Sequence, residues 1–519
     1  MPVIETLWWL FFWTALGLCV GSFLNVVIYR LPRDKSLRDP LWSTCPSCRH
    51  RIRWYDNLPI LSYIRLRGRC RDCHGPISPR YLFIEAATAL VVLLLLDAFF
   101  VGQVRAGLSR SAFGLTDRLS SDWPILAAHV VLFASLLAMS AIDLEHYWVD
   151  VRFTNLAVAC GFFFHTLWTP VHSKEWFRPG DSLAVMSLFA LVGLFLVWLW
   201  LSTRSPAQLS ADLPEVGPED IPDSNVELND AAEASSEADV GGTDGGATDC
   251  ESTGEVSAPA RSRLSQLFAI CSVALLVVLL ITISFANLKS ETVSHEIRAG
   301  LVLLLFFIVI VRESTVHRES DHEIISAIDE ERHEARGMVL REFVMFLPVV
   351  CLALLGLWLM REDGGFRERI SDTLHFHFRV WNLDLFQRWA PLEGLSTAAA
   401  GYVLGGALGW VVRILFTLLF GREAFATGDI HMMAAAGCVA GWPVVVLGFV
   451  ITTALALAGW LITLPYKQAR ALPLGPWLFL ALLVTTVFYE PIVNCTLISR
   501  ALTVINVLIL GNSQASLAA

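Results

Sequence analysis

Charge is scarce in this chain: 17% of its 519 residues are Asp, Glu, Lys or Arg, against 55% hydrophobic. A soluble protein of this length covers itself with charge, so this composition, with a mean hydropathy of +0.58, excludes that class. No basic residue precedes the first apolar run. Glu5 does, and Arg30, Arg33, Lys35 and Arg38 follow it. A secretory signal peptide is thereby excluded, and the positive-inside rule places the N-terminus outside and residue 30 onward in the cytoplasm. Lys and Arg are also missing from residues 205–260, which hold fourteen Asp and Glu. With those acids set aside the net charge of −10 becomes +4, so the pI of 5.7 belongs to one segment. Rich in Gly, Ser, Ala, Pro and acid, that segment cannot bury enough surface to fold and reads as a disordered cytoplasmic linker.

What the chain does have is apolar runs of bilayer length. Spans are expected near 7–28, 83–101, 125–142, 152–169, 183–202, 264–286, 297–311, 343–360, 396–420, 433–462 and 476–494, with a last apolar piece at 496–511. The expected fold class is an all-α polytopic membrane protein of about 11–12 transmembrane helices.

Of eleven cysteines, seven are scattered, five of them inside expected spans where a buried thiol needs no function. The other four are ordered. CPSC at 45–48 and CRDC at 70–73 form C-x2-C, 21 residues, C-x2-C. Cys45, Cys48, Cys70 and Cys73 offer four thiolates at the spacing of a tetrahedral Zn²⁺, and a full thiolate set with no vacant position indicates a structural ion. The cytoplasmic side keeps thiols reduced, which argues against disulfides. Arg49, Arg51, Arg53, Arg65, Arg67, Arg69, Arg71 and Arg80 surround the knuckles. Tied between two spans, they read as positive-inside bias and attraction to lipid headgroups rather than as a nucleic-acid surface.

Two aspartates stand out. Asp143, in SAIDLEHYWVD, closes the third span; Asp429, in FATGDIHMMAAAG, follows the ninth. Counting crossings puts both on the cytoplasmic face, 286 residues apart in sequence. Ionisable groups at membrane depth are functional candidates. Two carboxyls side by side share one proton, so one draws a proton from water while the other donates to a carbonyl, which is the chemistry of aspartyl proteolysis. Gly428 lets backbone or substrate approach the second carboxyl. The bland alternative is a pair of interfacial aspartates near helix ends.

Four motifs, in order, now carry a resemblance: GSFLNVVIYRLP at 21–32; the two cysteine knuckles with DNLPILSYIRLRGRC leading into the second and PISPRY after it; AIDLEHYWVD at 141–150; and AAGYVLGGALGWVVRILFTLLFGREAFATGDIHMMAAAGCVAGW at 399–442. LPLGPWL at 472–478 adds a fifth piece. Together they resemble the type IV prepilin peptidases, bifunctional leader peptidases and N-methyltransferases of the GxGD aspartyl protease type. The resemblance covers about 1–170 and 396–494. It implies Asp143 and Asp429 as the catalytic dyad, a prepilin or pseudopilin substrate cut between its leader and its apolar helix, and residence in the bacterial inner membrane. It also implies methylation of the new N-terminus with S-adenosylmethionine, for which no glycine-rich fingerprint is present and no site can be assigned. The family's G-x-G-D reads here Ala426-Thr427-Gly428-Asp429; its usual Lys two residues after that Asp is His431, and the Pro before Asp150 is Val149. Asp150 and His431 are expected to support the site.

The implied organisation is 1–29, first transmembrane helix; 30–82, cysteine module; 83–170, core with the first Asp; 171–395, an insertion; and 396–519, core with the second Asp. The insertion holds four expected spans, the acidic linker and a charged cytoplasmic segment at 312–342. His317, His322, His333, His375 and His377 match no ligand spacing and read as surface residues. Two other classes stay open: a homologue without catalysis that serves as a membrane scaffold, and a transporter, which has no use for the knuckles and wants its acids at the midplane. The expected partners are a prepilin-like substrate and lipid, with no nucleic acid; the oligomeric state is not specified by the sequence.

Overall fold

The computed structural model describes residues 2–33, 35–37, 42–102, 108, 115–147, 149–168, 179–203, 295–314, 335–374, 376, 390–421, 425–464, 473–496, 498–502 and 504. The acidic linker, the expected span 264–286, most of the charged segment 312–342 and the five histidines at 317, 322, 333, 375 and 377 lie outside the described residues. Residues Met1–Val197 and Leu264–Ala519 form one compact unit, and Trp198–Arg263 a second, of which residues 198–203 are described.

The described elements are helical: α1 Pro2–Arg30, α2 Leu61–Arg65, α3 Arg80–Leu96 with a π-helical extension Asp97–Val101, α4 Leu115–His146, α5 Val151–Leu167, α6 Asp181–Ser202, α7 His295–Ser314, α8 Ala335–Glu362, α9 Gly364–Leu374, α10 Pro391–Phe420, α11 Thr427–Ala440, α12 Trp442–Thr463, α13 Gly475–Val487 and α14 Tyr489–Val493. Seven are long and apolar enough to cross a membrane: Leu7–Arg33, Arg80–Val101, Leu115–His146, Asp181–Ser202, Ala335–Glu362, Pro391–Phe420 and Trp442–Thr463. Phe195, Val344, Leu419 and Leu461 stand exposed on α6, α8, α10 and α12, where water would be a poor solvent and lipid a good one. The chain is a multi-pass membrane protein.

Two expected spans are divided. The run 433–462 breaks at Gly441, which adopts φ 97° and donates its N–H to the Gly437 carbonyl, ending α11. Pro443 then enters the first turn of α12, where a missing N–H costs nothing. The run 476–494 breaks at Phe488 into α13 and α14. Hydropathy is blind to the first, because the residues around Gly441 are apolar, and the lone Glu490 after the second is too little to interrupt an apolar window.

Glycine sets how closely the inner helices approach. A Cβ on Gly401 would lie 1.9 Å from the Gly437 carbonyl oxygen, and one on Gly405 2.5 Å from that of Met433, so α10 and α11 touch backbone to backbone. α3, α4, α11 and α13 are buried and form the core that α1 and α5 cover. One helix of the insertion, α7, is packed onto this core. α7 lies on α13, with Phe306 against Phe479 and Phe307 against Trp477. His295 and Arg298 of α7 bind the buried Asp97 carboxylate at 2.7 and 3.0 Å.

Candidate active site

Asp143 lies one turn before the end of α4, where the chain reverses. Its carbonyl accepts from the Tyr147 N–H, and Tyr147 takes φ 52° to make the turn. Asp150 caps α5 by accepting from the Arg152 N–H at 2.8 Å, and the Arg152 Nε returns to the same carboxylate at 2.7 Å. Its role in the fold is that cap. The reversal carries Val149 against the start of α11, where a Cβ on Gly428 would meet the Val149 Cβ at 2.6 Å. Glycine is thus needed beside Asp429 for contact with the first aspartate's own turn.

Asp429 occupies the first turn of α11, and both carboxyls are buried, each about 6% exposed. α4 and α11 are in contact, and the Val149–Gly428 approach joins the turn after Asp143 to the residue before Asp429. His431 follows in the same turn, half-buried. The loop ahead of Asp429 is held by Arg413 of α10, whose Nη1 donates to the Phe425 carbonyl at 2.6 Å while its Nε meets Glu342 of α8 at 3.1 Å.

The sequence reading missed one contact. The Gly475 N–H, at the first position of α13, donates to Asp143 Oδ2 at 3.0 Å, and a Cβ there would lie 2.7 Å from that oxygen. Ser140, one turn before Asp143, donates to the Leu136 carbonyl at 2.7 Å and reaches the Gly475 carbonyl at 3.3 Å. The signal available was a glycine between Pro473 and Pro476 at the head of an apolar run, which reads only as a helix start. Beside the site, Glu145 forms an ion pair with Arg80, tying the start of α3 to the end of α4.

The four knuckle cysteines converge, their sulfurs all within 4.8 Å of one another. Cys45 and Cys73 stand 3.9 Å apart, against about 3.8 Å for two thiolates on one tetrahedral zinc. The knuckles are built alike. The first Cys N–H of each donates to the carbonyl of the residue five on, His50 or Gly75, and the residue after the second Cys, Arg49 or His74, takes φ near 58°. Burial opposes ionisation of Cys45, but N–H groups of Cys48 and Ser47 and the neighbouring thiols prevail and bring it down to about 7. The donor set fits zinc.

Residues 15–99 match the Bacterial Peptidase A24 N-terminal domain. The chain is similar to the prepilin leader peptidase/N-methyltransferase of Myxococcus xanthus, 35% identical over 206 residues, covering 36% of this chain and 55% of that protein. Over 221 residues it is 34% identical to the same-named protein of Pseudomonas putida, covering 36% of this chain and 72% of that one. It is 38% identical over 173 residues to the type 4 prepilin-like proteins leader peptide-processing enzyme of Escherichia coli O78:H11, covering 30% and 53%. The chain spans somewhat over half the length of the first of these relatives. No solved structure matches it.

Proposed function

From a chain that belongs to the prepilin leader peptidase/N-methyltransferase family, we infer a membrane aspartyl endopeptidase that removes the leader of prepilin-like proteins. One observation carries the reading: the turn after Asp143 packs on the residue before Asp429, Val149 against Gly428, and both carboxyls are buried at this contact between helices far apart in sequence. Two such carboxyls cannot both ionise at little cost, so they hold one proton between them. The Gly475 N–H, at the positive end of α13, stabilises negative charge on Asp143 and makes it the base that draws a proton from water. Asp429 is then the acid that protonates the scissile carbonyl. No covalent intermediate is required.

The dyad lies at the end of α4, where a substrate's polar leader would meet its apolar helix. This reading puts that end on the cytoplasmic side, with the N-terminus outside, as the Arg residues after α1 require. Cys45, Cys48, Cys70 and Cys73 would hold a zinc ion, which supplies fold rather than chemistry. The N-methylation in the relatives' names is carried over as a second activity, with S-adenosylmethionine as donor and no residue assigned.

The test is leader cleavage of a co-expressed prepilin-like substrate in membranes. Asp143→Asn and Asp429→Asn should each abolish cleavage while expression holds. Cleavage that survives either change removes the dyad; none by the native protein across several prepilins leaves a non-catalytic scaffold.

A further inference from the structure

The cysteine module carries an apolar face that its own fold does not cover. Within eleven residues, Trp54 is 79% exposed, Leu61 65%, Ile64 62% and Leu58 42%. Leu58 lies just before α2, Leu61 and Ile64 stand three residues apart within it, and Ser62 between them is buried. Arg53 and Arg65, both more than half exposed, flank this face.

The fold fixes where the face lies. The Ile60 N–H, immediately before α2, donates to Glu85 Oε2 of α3 at 2.8 Å. Ile60 adopts φ 60° and ψ −52°, a region costly for a β-branched residue, and is kept there by its surroundings. Asn25 of α1 donates to the Tyr81 carbonyl at 2.9 Å, closing the same corner. Glu85 sits five residues inside the span Arg80–Val101. At 1.5 Å per residue the residue that opens α2 is therefore held about 7.5 Å along α3 from its start. That is the depth at which an interfacial amphipathic segment buries its apolar side, about 5–10 Å into the boundary of headgroups and acyl chains.

We propose that Trp54, Leu58, Leu61 and Ile64 insert into the bilayer leaflet in which the chain's own spans sit, with Arg53 and Arg65 on its anionic headgroups. The module is thus a half-embedded collar. The Arg80–Glu145 pair puts it at the same end of the bundle as Asp143 and Asp429. Tryptophan and arginine at the rim are the residue types that settle at this boundary.

The experiment uses the full chain in vesicles of phosphatidylethanolamine and phosphatidylglycerol. A diazirine amino acid replaces Leu58, Leu61 or Ile64, or the exposed Asp72 on the second knuckle as reference. After illumination the adducts are weighed by mass spectrometry. Phospholipid adducts at 58, 61 and 64, several-fold above those at 72, support the embedded face; three positions guard against one misfolded variant. Labelling no higher than at 72 overturns it. So do adducts that move from lipid to the pilin-like chain on co-expression, which would make the face a substrate surface.

Discussion

Gly475 has two jobs that no other residue type performs together: its N–H holds Asp143, and its missing side chain makes room for the carboxylate oxygen. Gly475→Ala keeps the N–H and places a carbon 2.7 Å from that oxygen. The displaced carboxyl should lower kcat by about 10²-fold, the scale set by misplacements near 1 Å, with KM and expression little changed. Steady-state cleavage in membranes would show it. A different residue reports on pH. The Arg71 guanidinium bonded to Asp56 holds its carboxyl below the usual range, with Arg65 assisting. A carboxyl lowered by folding adds stability above its unfolded pKa of about 4 and loses it as pH falls through the lower folded value. Arg71 and Arg65 are 36% and 53% exposed, so solvent screening keeps the gain under about 1 kcal/mol. The melting difference between native protein and Asp56→Asn should be largest near neutral pH and vanish well below pH 4. The four cysteines were legible because a tetrahedral ion constrains their local spacing, while Asp143 and Asp429 stood out as carboxyls at membrane depth. Gly475 was not, since its partner is 332 residues away.

Among the elements, α10 and α11 depend most on absent side chains. Gly401 and Gly437 place each backbone about 2 Å from where the other's Cβ would be. Gly401→Ala must push α11, and Asp429 with it, away from α10. A loss of about 3 kcal/mol or more in stability, and of most cleavage, is expected from thermal unfolding and activity in detergent. The cysteine module makes a separate expectation. Native protein should carry about one zinc per chain, and Cys70→Ser should lose it together with the module's protease resistance. The positions of α1, α3, α4, α6, α8 and α10 follow from hydropathy, because each crosses in one unbroken apolar run. The division at Gly441 does not, because a turn inside a buried apolar stretch exposes nothing polar that a hydropathy window would register; nor does the one at Phe488, where a single acid, Glu490, is averaged away.

In the molecule as a whole, the insertion reaches both halves of the site. α7 packs on α13, which holds Asp143; α8 gives Glu342 to Arg413, which holds the loop ahead of Asp429. Arg413 is 2% exposed, so Glu342→Ala takes a carboxylate from beside a buried cation, at a cost of about 2 kcal/mol for a pair whose acid is partly exposed. Cleavage should fall with it. Glu342→Met combined with Arg413→Met should regain stability while cleavage stays low, since Phe425 is still released. Thermal melts and leader cleavage on the three proteins separate those effects. The buried ions at the other contact have a consequence for ancestry. Asp97 belongs to the core, while Arg298, its ion-pair partner, and His295, hydrogen-bonded to it, belong to the insertion. A shorter relative without the insertion would carry a stranded carboxylate there, so Asp97 and Arg298 should be inherited as a pair, gained or lost in the same lineages.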